Sequence, residues 1–340
     1  MRQAVAFVFL ITLIACVPIP GAGAQRTAST AGTIAFSRDG SIWAIGSGGA
    51  GLVKITHGPG DWAPNWAPNG EVIAYVHDQP TKEVSNVNVD LYLVDTDGTA
   101  AGKRTRRIFN AAPTSLEHGV AAVDQVHDLA WSKSGSLTFV YFGSLYLASP
   151  PTYKAREVVK GSPSLLVEDS GGFSPDSRSI VWTDDVSGIY TVDVATGHTK
   201  KLVPSEIAGD LTGSPLWSLD GRTIAFTSTG LSADTLWTAA ATGGKPTRVT
   251  ASAHVDFLAW SPDSRVLSFS DWEKMNVMDV QSTGGQPVTL GPGDMASWAP
   301  DGSKLVVSAA SDDQSPISVV SANGSGATKI ATGTYAAWRP

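Results

Sequence analysis

The side chains with which this sequence would do chemistry are carboxylates and histidines that recur at fixed places between short apolar runs. Asp61, Asp128, Glu168, Asp169, Asp256 and Asp294 each stand a few residues before an aromatic position, while Asp184, Asp185, Asp271, Glu273, Asp312 and Asp313 follow the apolar run after it. Gathered on one face, such carboxylates would offer a hard cation several oxygen ligands, or would steer a basic partner. The plainer account is that each caps its own loop by accepting backbone N–H bonds, as short carboxylates do in turns. His118, His127 and His254 occupy the same kind of loop, and His57 sits at the start of another. Converging imidazoles would hold a transition metal, although no close ligand spacing marks them out from isolated surface histidines.

Nucleophilic chemistry is poorly served. The sequence contains no Gly-x-Ser-x-Gly elbow, and no glycine-rich phosphate loop leads into a helix. Asp95-Thr96-Asp97-Gly98 opens like a calcium loop, but Arg106 stands where the twelfth-position glutamate would be needed, so a hairpin turn is expected there. No cofactor is expected. Trp62, and Trp272 within the stretch DWEK, lie outside the repeating aromatic positions and are the expected contact residues for a partner.

The elements that position these residues are repeats of one phrase: an aromatic residue, a tight polar turn, then an apolar strand. It reads NWAPNGEVIAY at Trp66, AWSKSGSLTFV at Trp131, GFSPDSRSIVW at Phe173, LWSLDGRTIAF at Trp217, AWSPDSRVLSF at Trp260 and SWAPDGSKLVV at Trp298, with a truncated copy, AAWRP, at Trp338. After a first gap of 65 residues the anchor returns every 38 to 44, a period that belongs to stacked or radial units. Each unit supplies four strands, and the basic outermost ones, with Lys200-Lys201 and Lys245 to Arg248, protect a sheet edge. TYAAWRP at 334–340 is an opening strand with no second strand after it, and TIAF at 33–36 is a second strand with no opening strand before it. Joined, they complete one unit and predict an all-β, seven-bladed propeller of four-stranded antiparallel blades, closed by pairing of the terminal strands. The blades are 334–340 with 32–57, then 58–110, 111–161, 162–207, 208–253, 254–294 and 295–333. Both the loops leading into the inner strands and those joining second to third strands then share one face. The irregular stretches 77–88 and 110–126 also emerge there as long loops, and recognition usually resides in such loops on a rigid scaffold.

The phrase Trp-Ser-Pro-Asp-Gly before an Ile-Ala-Phe-like strand, followed by Leu-Tyr-x-Val-Asp and a glycine turn, resembles the propeller repeat of the TolB type, related to the WD-repeat propellers. The resemblance covers residues 32–340. It implies an extracytoplasmic, non-catalytic platform whose faces bind proteins or small molecules. The family's namesake carries an N-terminal α/β domain and six blades, neither of which this sequence shows, so membership of the Tol envelope system is not implied.

Residues 1–24 read as an export signal: Arg2, an apolar run from Ala4 to Val17, then small residues. Leu13-Ile14-Ala15-Cys16 matches a lipobox that would lipidate Cys16, and Ala22-Gly23-Ala24 matches ordinary cleavage; both remain open. Residues 25–31 are a polar tether before the single domain 32–340. The net charge of −7 and pI near 5.3 give nucleic acid and anionic membrane no attractive surface, leaving a lipid anchor as the one membrane contact. Cys16 is the only cysteine, so no disulfide holds the domain. The expected protein is an exported monomer in the periplasm or at the cell surface. It is expected to bind envelope proteins through Asp61, Trp62, Asp128, Asp169, Asp256, Asp294, Asp271 and Trp272, with a small-molecule or saccharide ligand also open. The alternative is a metal-dependent lyase or hydrolase acting on saccharides.

Overall fold

Runs such as TIAFSR, LTFVY and TIAFTST are rich in β-branched and aromatic residues, and turns carrying Gly, Asp or Ser separate them, a composition that pairs neighbouring runs as hairpins. The computed structural model describes residues 32–80, 87–96, 105–110, 126–141, 143–160, 170–183, 188–204, 210–211, 215–229, 234–252, 255–271, 274–279, 286–310 and 312–340. Within these residues the strands form seven antiparallel sheets. Blade 1 is composite, in the order Thr334–Trp338, Thr33–Arg38, Ser41–Gly46, Val53–Lys54. Blade 2 runs from Asp61–Trp66 outward to Thr105–Asn110, and blade 3 from His127–Trp131 to Ala155–Val159. Blade 4 extends from Ser170–Phe173 to Thr199–Pro204, blade 6 from Asp256–Trp260 to Val288–Pro292 and blade 7 from Met295–Trp298 to Thr328–Thr332. In blade 5 the inner strand is in two pieces, Asp210–Leu211 and Leu216–Trp217, both paired with Thr223–Thr229. Each inner strand touches the inner strand of the next blade, and that of blade 7 touches Thr334–Trp338, so the circle is complete.

The terminal strands pair as the unmatched halves demand. Ile34 faces Trp338 and Ala35 faces Ala337, and the Arg339 amide donates to the Thr33 carbonyl at 2.8 Å. The core lies between sheets. Fully buried Phe36, Phe139, Phe226 and Phe269, all from second strands, pack against neighbouring blades together with the anchor aromatics. Trp66 fills the wedge between blades 1 and 2, Trp217 that between 4 and 5, and Trp260 that between 5 and 6. A flat ring at the end of a strand suits a wedge, and its N–H needs a partner there. The indole N–H of Trp66 donates to the Ala337 carbonyl, that of Trp131 to Asn65, of Trp260 to Leu216 and of Trp298 to Ala259, at 3.2–3.3 Å. Every acceptor is the residue just before the preceding blade's anchor, so these four anchors bolt blades together as well as filling space.

The polar turns after the anchors are built by their serines and aspartates. Asp176 Oδ1 accepts from Ser174 Oγ at 2.7 Å and from the Arg178 amide at 3.1 Å, while Ser174 Oγ accepts from the Ser179 amide. Ser218 with Asp220, and Ser261 with Asp263, repeat the arrangement. The serine hydroxyl, then a backbone N–H, holds the Asp176 and Asp220 carboxyls below the usual carboxylate range. A depressed folded pKa contributes stability that is whole above the unfolded value, about 4, and is lost as pH falls through the folded one. Asp220→Asn should therefore flatten the acid limb of a stability-against-pH curve relative to the parent chain; an unchanged acid limb would mean that this turn does not feel the charge.

One expectation changes. Residues 77–80 and 87–88 belong to strands, not to a long loop: Val72–Pro80 pairs with Val87–Asp95, with His77 opposite Asp90 and Pro80 opposite Val87. The polar run HDQ looks like loop, but the sheet satisfies it, His77 bonding Asp61 and Asp78 bonding Trp62. Residues 111–125 of the other irregular stretch lie outside the described residues, as do 81–86 between the two long strands.

Candidate functional site on the top face

Inner strands start on one face of the ring, here called the top, and second strands end on it. The inner strands of blades 1, 2 and 3 carry a β-bulge, and the residue three before the anchor takes a left-handed backbone: Ala63 (φ 49°), Asp128 (φ 52°) and Tyr335 (φ 52°). Bulges re-aim side chains and recur beside functional sites.

The best-defined group of top-face side chains straddles blades 1 and 2. Trp62 and Tyr335 lie with ring centroids 5.5 Å apart, tilted by 48°, and both are half-buried. Asp78, at the end of the second strand of blade 2, accepts the Trp62 indole N–H at 2.9 Å and so fixes the ring. Burial raises the Asp78 carboxyl above its ordinary value, the bond from Trp62 and the nearby His77 partly opposing it. Burial also raises the Tyr335 hydroxyl, with Asp294 and Asp78 adding to it. Beneath Trp62, Asp61 is 3% exposed and bonds His77 Nδ1 at 2.6 Å, so this carboxylate is spent on the fold.

The other expected residues separate. His127 Nδ1 lies 3.2 Å from Asp128 Oδ2 on blade 3. Asp271 faces Lys274 across a hairpin in blade 6. Asp313 accepts from the Asp39 amide at 2.9 Å, tying blade 7 to blade 1, and Asp312 accepts from the Gln314 amide, as a loop cap does. Asp256 begins the inner strand of blade 6, and His57 is exposed in the loop before blade 2. Asp169, Trp272, His118, His254 and Cys16 lie outside the described residues, together with Glu168, Asp184, Asp185, Glu273, the export signal and the tether. Among the described residues no three His, Cys, Asp or Glu side chains gather as a metal ion would require.

Sequence reasoning passes over Tyr335, His77 and Asp78. Tyr335 is legible in principle: it stands three residues before an anchor, the bulge position that puts Asp128 on the same face. His77 and Asp78 are hidden by the loop-like composition of their strand.

The TolB beta propeller domain is the family whose model matches the chain, over residues 130–340. An uncharacterized protein of Agrobacterium fabrum is 26% identical over 268 residues, 72% of this chain and 82% of that protein. Among solved structures, TolB from Acinetobacter baumannii superposes with a TM-score of 0.52 at 18% identity, covering 91% of this chain and 67% of that one. An oligogalacturonate lyase in complex with manganese superposes with a TM-score of 0.55 at 11% identity, covering 79% of each chain. At such identities the superpositions establish the fold alone, and this fold serves both binding proteins and enzymes. With seven anchored blades and a family match over most of its length, the chain belongs to the TolB β-propeller family.

Proposed function

We propose that the chain is an exported, non-catalytic propeller of the cell envelope that binds a protein partner through its top face. The observation that carries this reading is the Trp62–Tyr335 pair, held half-exposed by Asp78. Tryptophan and tyrosine dominate binding energy at protein interfaces, and they do so best when pre-ordered. Asp294, beside Tyr335, and on the same face Asp128 of blade 3 and Asp271 of blade 6 would supply acidic groups suited to a basic partner; Asp169, Asp256 and Trp272 are proposed as further contacts from the sequence alone. Residues 1–24 would direct export, by lipidation at Cys16 or by ordinary cleavage. Among the described residues no helix is long and apolar enough to cross a membrane.

Affinity capture from an extract of the native envelope, with parent chain and Trp62→Ala as baits, tests the proposal. A partner retained by the parent should be lost with Trp62→Ala, whose expected cost is about 2 kcal/mol or more, roughly thirtyfold in Kd. Equal recovery on both baits would remove Trp62 from the interface. The enzyme reading draws support from the His127–Asp128 pair on the same face. Elemental analysis separates the two readings: stoichiometric manganese, zinc or calcium, lost on substituting His127, would favour a metal-dependent enzyme.

A further inference from the structure

The opposite face, where the turns after the anchors lie, carries a second feature that the top-face reading does not use. Between blades 6 and 7 lies a cleft of about 340 Å3 lined by Trp298, Ser261, Gly302, Asp263 and Asp301, with Pro262, Val266 and Ala322 beside them. The repeat supplies its own comparison. Between blades 1 and 2 the equivalent anchor is Trp66, and the two anchors are held alike: the Trp66 N–H donates to Ala337 and the Trp298 N–H to Ala259. In the first case the residue after the preceding anchor is Arg339. Its guanidinium lies 5.4 Å from the centre of the Trp66 ring, and its side chain runs so close over Gly70 that a Cβ there would meet Arg339 Nε at 2.6 Å. In the second case that residue is Ser261, whose hydroxyl is turned to Asp263 and the Val266 amide, and Gly302 stands where Gly70 stands. Trp66 is 7% exposed under its arginine; Trp298 remains half-buried in an open cleft.

A further difference explains why the gap persists. Between blades 5 and 6, Ser264 accepts the Asp220 amide at 2.9 Å, and between blades 3 and 4, Ser177 accepts the Lys133 amide at 3.2 Å. These serines draw adjacent turns together, whereas glycine at 302 has no hydroxyl with which to reach blade 6. The rim also differs in charge, since Asp301 replaces Asn69. Hydrogen bonds from their own turns hold the Asp263 and Asp301 carboxyls below the usual range, so both are ionised at neutral pH.

We propose that the cleft between blades 6 and 7 takes an arginine side chain from a partner polypeptide, stacked on Trp298 and flanked by Asp263 and Asp301, as Arg339 stacks on Trp66 within the chain. A planar guanidinium matches an aromatic floor and carboxylate walls, and it is less strongly hydrated than an ammonium. The site is on the face opposite Trp62 and stands or falls independently of the top-face reading.

The test is a titration of the protein with acetyl-Gly-Arg-Gly-amide and its citrulline twin, which keeps the shape and loses the charge, while the Trp298 indole N–H is followed by NMR and assigned with Trp298→Phe. The arginine peptide should move that resonance saturably, and the citrulline peptide should bind about tenfold more weakly. Asp263→Asn with Asp301→Asn, which keeps the turn acceptors, should weaken the arginine peptide similarly. Gly302→Ser should close the cleft, its hydroxyl taking the Asp263 amide as Ser264 takes that of Asp220, and should abolish the shift; Ser177 and Ser264 already adopt a φ of 61°, near the 72° of Gly302. The proposal is overturned by no saturable shift up to about 10 mM peptide, by equal binding of the citrulline peptide, or by undiminished binding to a folded Gly302→Ser chain. Should that variant fail to fold, the double asparagine variant decides.

Discussion

Deleting residues 334–340 should leave a chain with no cooperative unfolding transition. The lost strand holds three blades at once. Trp338 is 8% exposed and packs with residues of blades 7 and 1, its amide donates to Ser297 Oγ and that of Ala336 to Ser308 Oγ, and the Ala337 carbonyl takes the Trp66 indole of blade 2. Losing a buried tryptophan alone costs about 3–5 kcal/mol, and each buried polar group left behind adds about 1–3. The sum approaches the whole stability of a typical domain, about 5–15 kcal/mol, before counting the exposed edge of Thr33–Arg38 and its tendency to aggregate. Covalent order is not what matters, because the ends already meet at Arg339 and Thr33. A circular permutant joining Pro340 to Gly32 through a short linker, reopened between the exposed residues Gly244 and Lys245, should therefore unfold cooperatively within a few degrees of the parent. A soluble truncated chain with the parent's melting curve would show that hydrogen-bonded closure is dispensable.

That closure is legible in the sequence because it rests on an accounting of strands: TIAF lacks an opening strand and TYAAW lacks a second one. The blade count follows from flat aromatic anchors that, after a first gap of 65 residues, return every 38 to 44, a robust kind of sequence signal, since a wedge between blades is filled by a flat ring. The site is less legible because composition does not say with whom a carboxylate is paired. Asp61 and Asp78 stand on the same pair of strands, yet Asp61 is turned inward to His77 and Asp78 orients Trp62. Asp313 looks like any loop aspartate until its bond to the Asp39 amide, 274 residues away in sequence, is seen to tie two blades together. Tyr335 sits inside a stretch whose closing role explains it fully, and its place beside Trp62 depends on a bulge that only backbone geometry reveals.

Trp260→Ala should destabilise the propeller by about 3–5 kcal/mol, the usual range for a fully buried large aromatic, and Trp217→Ala by a similar amount. Trp260 is 5% exposed and Trp217 8%, and each joins the hydrophobic cores of two blades. Replacement by phenylalanine separates the two functions of the anchor. Trp260→Phe keeps most of the apolar fill but strands the Leu216 carbonyl, which now receives the indole N–H at 3.3 Å, so a further cost of about 1–3 kcal/mol is expected beyond the lost volume. At Trp217 the indole nitrogen is buried and has no hydrogen-bond partner among the described residues. Its removal relieves a desolvated donor, and Trp217→Phe should cost less than Trp260→Phe by about 1 kcal/mol or more. The anchor before it in the chain is Phe173, the one repeat that has dispensed with the indole, which shows that the wedge tolerates a smaller ring where no bolt is made. Chemical denaturation of the four variants against the parent measures the difference directly. Equal costs for the two phenylalanine variants would mean that the inter-blade hydrogen bond contributes nothing, and unchanged midpoints for both alanine variants would remove the anchors from the core.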